Sequence, residues 1–392
     1  MTRRDVVITG IGLVSSLGEG PEAHWAALNN SAKPVVDAAS FAPFPVHPLP
    51  VLSLDAQIPK KGDQRQMEPW QRLGTYAAGL AIDHAGARGL VSDMHLVVAA
   101  GGGERDVAVD EAVTAALTSA APEASGALLN EKLATELRPT LFLAQLSNLL
   151  AGNISIVHGV TGSSRTLMGE EEAAADAIRI AAARLAEGRG EIALVGGAFA
   201  SQRWDMVLLY APGGVLWQGD YAPISARGDA GGLMLGAMAA FLVLETAEHA
   251  QARGAKALAR IGGIASDAAH QRAGGGSATA AAALWQGMAP ASTAGLGVIS
   301  GMTGVAEARV EEEAFLATLG GAAVRRSGSV LGHGVEASFP ANVALAALAL
   351  SQNGFYPKMD PADAGDGAVE RILVTGFGQW RGEALALLEK AP

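Results

Sequence analysis

Short apolar runs, rich in β-branched residues and bounded by glycine, recur along the chain. Between them lie longer Ala/Leu-rich stretches whose apolar positions repeat at helical spacing. Runs of the first kind read as buried strands: Asp5–Thr9, His95–Ala99, Asn153–Val157, Glu191–Val195, Ala240–Glu245, Leu296–Ile299 and Ile372–Val374. The second kind reads as helices: Pro69–Ala85, Asp106–Leu117, Glu170–Glu187, Ala306–Leu319 and Pro340–Leu350. Such alternation predicts α/β layers. Residues 32–66 are rich in Pro and Ala without a period and predict a long surface loop with short strands. Gly274–Ser277 and Asp360–Gly367 read as turns. No repeat of about 20–50 residues is visible, which excludes solenoids and propellers.

Composition narrows the class. At about 100–200 residues per domain, 392 residues make two domains or one large double-lobed one. With 28 Lys+Arg against 39 Asp+Glu, the net charge of −11 argues against nucleic acid or an anionic membrane as the main partner. The pair Arg325-Arg326 reads either as a solvated loop or as a local basic patch for a small acidic protein. Cysteine is absent, so there is no disulfide, thiolate metal site or thiol nucleophile. The longest apolar stretch, Ala230 to Leu244, is shorter than the ~20 residues a bilayer requires. Asp5 interrupts the basic start Met1-Thr2-Arg3-Arg4 before a signal sequence can develop. A soluble cytoplasmic protein is the expectation.

Several familiar sites are missing. There is no G-x-x-x-x-G-K-[ST] loop, no H-E-x-x-H pair and no G-x-S-x-G elbow, and the eight histidines are scattered. After Gly10-Ile11-Gly12 a dinucleotide fingerprint needs a third glycine at the position held by Ser15. The segment therefore reads as a tight strand-to-helix turn. Neither a cofactor nor a metal is expected.

The same opening, Asp5-Val6-Val7-Ile8-Thr9-Gly10-Ile11-Gly12 followed by His24-Trp25-Ala26-Ala27-Leu28, resembles the start of the β-ketoacyl-acyl carrier protein synthases, KAS II-like condensing enzymes of the thiolase fold. The resemblance continues through Asn148–Gly152, Gly159, Gly162, Gly188 and Val195-Gly196-Gly197. It reaches Leu242–Glu245, Glu248-His249-Ala250 and Arg253–Lys256, which look like the link between the family's two halves. It implies an α/β thiolase-like fold of two pseudo-duplicated halves, residues 1–255 and 256–392, in α-β-α-β-α layers. It also implies an acyl carrier protein as partner and dimers built by joining one strand of each subunit, here near Ser163–Met168.

At the catalytic positions the resemblance breaks down. The family's nucleophilic Cys lies nine residues after the glycine matching Gly162 and twenty-five before the one matching Gly196. Both counts end on Glu171. The first catalytic His falls in Ile299–Gly304 and becomes Met302, or Gly301 if Thr303 is the motif's Thr; its companion acid is Glu312 or Glu313. The second His is retained as His333 after Gly332, but the Lys five residues earlier is Gly328. The gating Phe of the family's Phe-Gly-Phe-Gly-Gly motif, which offers an oxyanion N–H, is Gln379 in Phe377-Gly378-Gln379-Trp380-Arg381.

Condensation needs a nucleophile to carry the acyl group and imidazole or backbone donors to stabilise an enolate. Acyl transfer to Glu171 would give a mixed anhydride, and its charge would repel the enolate. The resemblance thus implies a homologue that does not condense by itself, akin to chain-length factors that pair with a Cys-containing ketosynthase, although those usually carry Gln at this position. The alternatives are a malonyl-thioester decarboxylase or an atypical 3-oxoacyl synthase using Glu171 and His333. Each residue also has a plainer reading. Glu170-Glu171-Glu172 suit a helix N-terminus, worth ~0.3–1 kcal/mol each. His333 reads equally as a core imidazole satisfied by backbone, and Met302 as filler. Homodimer and heterodimer both stay open.

Overall fold

A computed structural model of the chain describes residues 3–103, 105–139, 141–267, 276–290, 292–380 and 382–391. Among these, one 11-stranded sheet contains β1 Val6–Ser15, β2 Gly18–Glu19, β3 His95–Ala99, β4 Ser164–Leu167, β5 Ile192–Phe199, β6 Met238–Thr246, β7 Ala259–Asp267, β8 Leu296–Ser300, β9 Ala323–Arg326, β10 Arg371–Phe377 and β11 Glu383–Glu389. The order is β4-β3-β5-β6-β1-β7-β11-β10-β8-β9, with β2 paired to β1.

That order contains one pattern twice. In β4-β3-β5-β6-β1, the first three strands are parallel neighbours and the next two antiparallel ones. In β9-β8-β10-β11-β7 the same chain order and the same directions recur. The sets meet through a short antiparallel contact, Val7 with Arg260 and Ile8 with Ala259. β4 ends the path, and no described residue pairs with its outer side.

Two helices at equivalent places in the two sets, Glu170–Ala186 and Ser338–Ser351, pack on strands of both and on each other. The first is lined with buried alanines, including Ala173, Ala174, Ala177 and Ala181, so it fits closely between the two strand sets. The second is buried at every position from Phe339 to Leu350, as a helix enclosed on all sides must be. Pro69–His84 covers the outer face of the first set, and Gly276–Met288 with Ala306–Ala317 that of the second. The result is the expected α/β fold of two pseudo-duplicated halves, with helices on both faces of the sheet.

Some sequence expectations need correction. Asn153–Val157 is not a strand but part of the helix Leu149–His158. Its buried positions Leu150, Ala151, Ile154 and His158 follow helical spacing, and Gly159 ends it at φ 75°. Gly10 and Gly12 do not form a turn: β1 continues through them to Ser15, with a bulge between Ile8 and Gly10. They let the helix Pro69–His84 lie against the strand, because a Cβ at Gly12 would stand 1.9 Å from the Ala77 carbonyl oxygen. Gly274 and Gly275 lie outside the described residues, and from Gly276 onward the chain is helical rather than a turn. Arg325 and Arg326 are neither a solvated loop nor a basic surface. Both are buried, and Arg325 donates to the carbonyls of Tyr356, Val324, Ala364 and Gly365, tying β9 to the following loop. Among the described residues no helix is long and apolar enough to cross a membrane.

Candidate active site

The two central helices begin at the same place. β4 leads into a turn in which Gly169 has φ 144° and Glu170 φ 60°, and this bend presents Glu171 at the first turn of Glu170–Ala186. From the other set, β9 leads through Gly328–Leu331 to Gly332 at φ 72°, then to His333 and the short turn Val335–Ala337. Only glycine fits at 332, where a Cβ would come within 2.6 Å of the His47 ring and 3.0 Å of Gly236. The His333 backbone is fixed on both sides: its N–H donates to the Met234 carbonyl over 2.7 Å, and its carbonyl accepts from Gly236 over 2.8 Å.

This places the two side chains in contact. His333 Nε2 donates to Glu171 Oε1 over 2.8 Å, and the Gln379 backbone N–H donates to the same oxygen over 3.2 Å. Burial alone would push the Glu171 carboxyl up. The hydrogen bonds and the His333 charge outweigh burial and hold the group below the usual carboxylate range. Glu171 Oε2 is buried with no hydrogen-bond partner among the described residues. The carboxylate therefore takes up the imidazole and one backbone N–H, two donors that could otherwise stabilise a developing oxyanion.

The remaining motif positions surround this pair. Met302 is buried and lines a void of about 10 Å3 with His333 and Gly328. A Cβ at Gly328 would already stand 2.9 Å from the Met302 carbonyl oxygen and from the Ile224 side chain, so no larger residue fits there. A second void of about 10 Å3 touches Glu171, His333, Asn342 and Phe377. A cavity needs roughly 10–15 Å3 to hold one water. The centre thus admits about one water in each void and no acyl group. Of the two candidate acids, Glu312 is the one at the site. It is buried, its Oε1 accepts from Ser300 over 2.5 Å and Thr375 over 2.6 Å, and burial pushes its carboxyl up. Glu313 is exposed. The Gln379 side-chain oxygen is buried without a partner among the described residues, and Arg381 lies outside them. Among the described residues no cluster of three His, Asp or Glu side chains could hold a metal ion.

Sequence reasoning missed Glu336. It is 6% exposed, and burial together with the charges of Glu171 and Glu170 pushes its carboxyl up to about 7. Its only signal in the sequence is a position three residues after His333, one helical turn on. It lines a separate cavity of about 410 Å3 with Met168, Glu170 and Tyr210.

Comparison with known proteins matches residues 3–250 to the family described as Beta-ketoacyl synthase, N-terminal domain. A 3-oxoacyl-(acyl-carrier-protein) synthase 2 of Rhizobium meliloti (strain 1021) is 28% identical over 296 residues, covering 68% of this chain and 65% of that one. The tetracenomycin polyketide synthase ketoacyl synthase beta subunit of Streptomyces glaucescens is 31% identical over 280 residues, covering 67% and 63%. The chain thus spans just under two thirds of the length of these relatives. The fold superposes over 100% of both chains on the ishigamide ketosynthase/chain length factor, with TM-score 0.81 and 21% identity. It also matches a type II polyketide ketosynthase in complex with its acyl-carrier protein, with TM-score 0.76 and 18% identity over 100% of both chains.

Proposed function

The chain belongs to the β-ketoacyl synthase family, and from that premise we propose that it is a non-condensing subunit of acyl-chain or polyketide synthesis, acting beside a Cys-containing ketosynthase. One observation carries this reading. The carboxylate of Glu171, which the motif count puts at the nucleophile position, consumes His333 Nε2 and the Gln379 N–H through one oxygen. An acyl group on that carboxylate would be a mixed anhydride, and an incoming enolate would meet a negative charge in a site with no room for it. On this reading residues 1–255 and 256–392 form the two halves, each supplying one member of the pair.

An acyl carrier protein brings the substrate, and the ketosynthase pairs along the free edge of β4. Four residues beyond that edge stands Glu171, so a partner docked there would adjoin the Glu171 helix and the cavity beside it. The exposed apolar residues Phe142, Ile156 and Met168 on the neighbouring segments suit such an interface.

A second reading, decarboxylation of a malonyl thioester without condensation, draws on the Glu171–His333 pair as an acid–base couple. Intact-mass analysis separates the two. Malonyl- and acyl-carrier protein are incubated with the chain alone and with a Cys-containing ketosynthase. No change alone, with product formed or lengthened only in the mixture, supports the partner role. Acetyl-carrier protein from the chain alone supports decarboxylation, and extended product from the chain alone overturns the proposal.

A further inference from the structure

Beside the Glu171–His333 centre, the cavity of about 410 Å3 is walled mainly by apolar side chains, among them Trp70, Met168, Phe199, Met206 and Leu209. Into this space the chain places one acid without a partner. Glu336 is 6% exposed, and apart from its own backbone N–H its carboxyl has no hydrogen-bond donor and no ion-pair partner among the described residues. The carboxyl stands where a side chain at 101 would go: a Cβ on Gly101 would lie 2.6 Å from Glu336 Oε1. Burying a carboxyl this way is costly unless something binds it.

We propose that the cavity receives an aliphatic chain carrying an amine, with Glu336 as the counter-ion that selects it. The inference rests on the reading of the chain as a binder of acyl-type chains and names the class that this cavity takes. The Glu336 carboxylate itself favours a cation over other polar groups. Glu170 and Glu171 face Glu336 from the helix Glu170–Ala186. Arg203 and Tyr210 face it from either end of the helix Trp204–Tyr210. The Arg203 charge is matched by Asp205 at 2.5 Å, and its guanidinium also donates to the Gly103 carbonyl. Burial and the nearby acids push the Tyr210 phenol up, so it stays neutral. Glu171 is likewise matched by His333, so the charge left to a ligand in this cavity is that of Glu336. It repels an acid, gives a hydroxyl only a hydrogen bond, and gives an ammonium both a hydrogen bond and a charge partner.

The test is calorimetric titration of the full chain with decylammonium, decanol and decanoate at pH 6 and pH 8. Decylammonium binds about tenfold tighter than decanol at pH 8, and the gap narrows at pH 6 as Glu336 takes up its proton. Glu336→Gln removes the preference while decanol binding persists. If that variant does not fold, the pH dependence of the unaltered chain decides the same question. Equal binding of all three probes at pH 8, or a preference that survives in Glu336→Gln, overturns the amine assignment and leaves the acyl-chain reading standing. Binding of none of the three removes both.

Discussion

Glu336 makes the protein less stable than it need be, and the deficit has a pH signature. The carboxyl ionises at about 7 in the folded chain against 4.5 as the ordinary value. Between those limits the folded state holds a proton that the unfolded chain has released. Stability therefore falls as pH rises through that window, and the deficit is complete above pH 7. Displacing the ionisation from 4.5 to about 7 corresponds to about 3 kcal/mol at pH 8. Glu336→Gln keeps the shape and removes the charge. Urea unfolding of both proteins at pH 5, 6, 7 and 8, at one protein concentration, reads the difference while the other titrating groups cancel. The variant is expected to be more stable by up to about 3 kcal/mol at pH 8, with the gain shrinking to about 1 kcal/mol near pH 5. A difference that does not change with pH, or a variant less stable at pH 8, would refute the claim that this carboxyl is buried without a partner.

Other outcomes follow from the same geometry. His333→Leu strands the buried Glu171 carboxylate and should lower stability at pH 7 by about 3–5 kcal/mol, whereas the double change with Glu171→Leu should recover most of it; urea midpoints measure both. Glu171→Cys restores a nucleophile but not the imidazole at 302 or the Lys at 328. With no room for an acyl group at the centre, it should show neither an acyl-enzyme mass with acyl-carrier protein nor elongated product with malonyl-carrier protein. Gly12→Ala forces a methyl to within 1.9 Å of the Ala77 carbonyl oxygen. It should cost about 1–3 kcal/mol or more, seen as a lowered melting temperature.

The layered fold was legible because its inner strands are short, β-branched and bounded by glycine, as β3, β5 and β10 are. β11 escaped notice for the opposite reason. Glu383-Ala384-Leu385-Ala386-Leu387-Leu388-Glu389 is made of helix formers, and pairing between β7 and β10 overrides that preference. At 153–157 the apolar run was too short to separate strand from helix without the flanking Leu149 and His158. Glu171 and His333 were reached by counting from glycines, and the turns at Gly169 and Gly332 beside them are ones that few other residues allow. Their hydrogen bond could not be read, since 162 positions separate them and only the joining of the two sets brings them together. Glu336 and Arg325 were out of reach for a related reason. Whether a charge is buried, and beside what, depends on segments far apart in the chain.

The open edge of β4 bears on how the protein will behave in a test tube. Four residues of strand whose outer side has no partner among the described residues, together with exposed Phe142, Ile156 and Met168, make a template for another copy of the same strand. Produced by itself, the chain is expected to self-associate there, as a symmetric pair at low concentration and as precipitate at high concentration. Co-production with a candidate ketosynthase therefore becomes a test of solubility as much as of activity. On the proposed partner role, the right companion is the one that keeps this chain in solution.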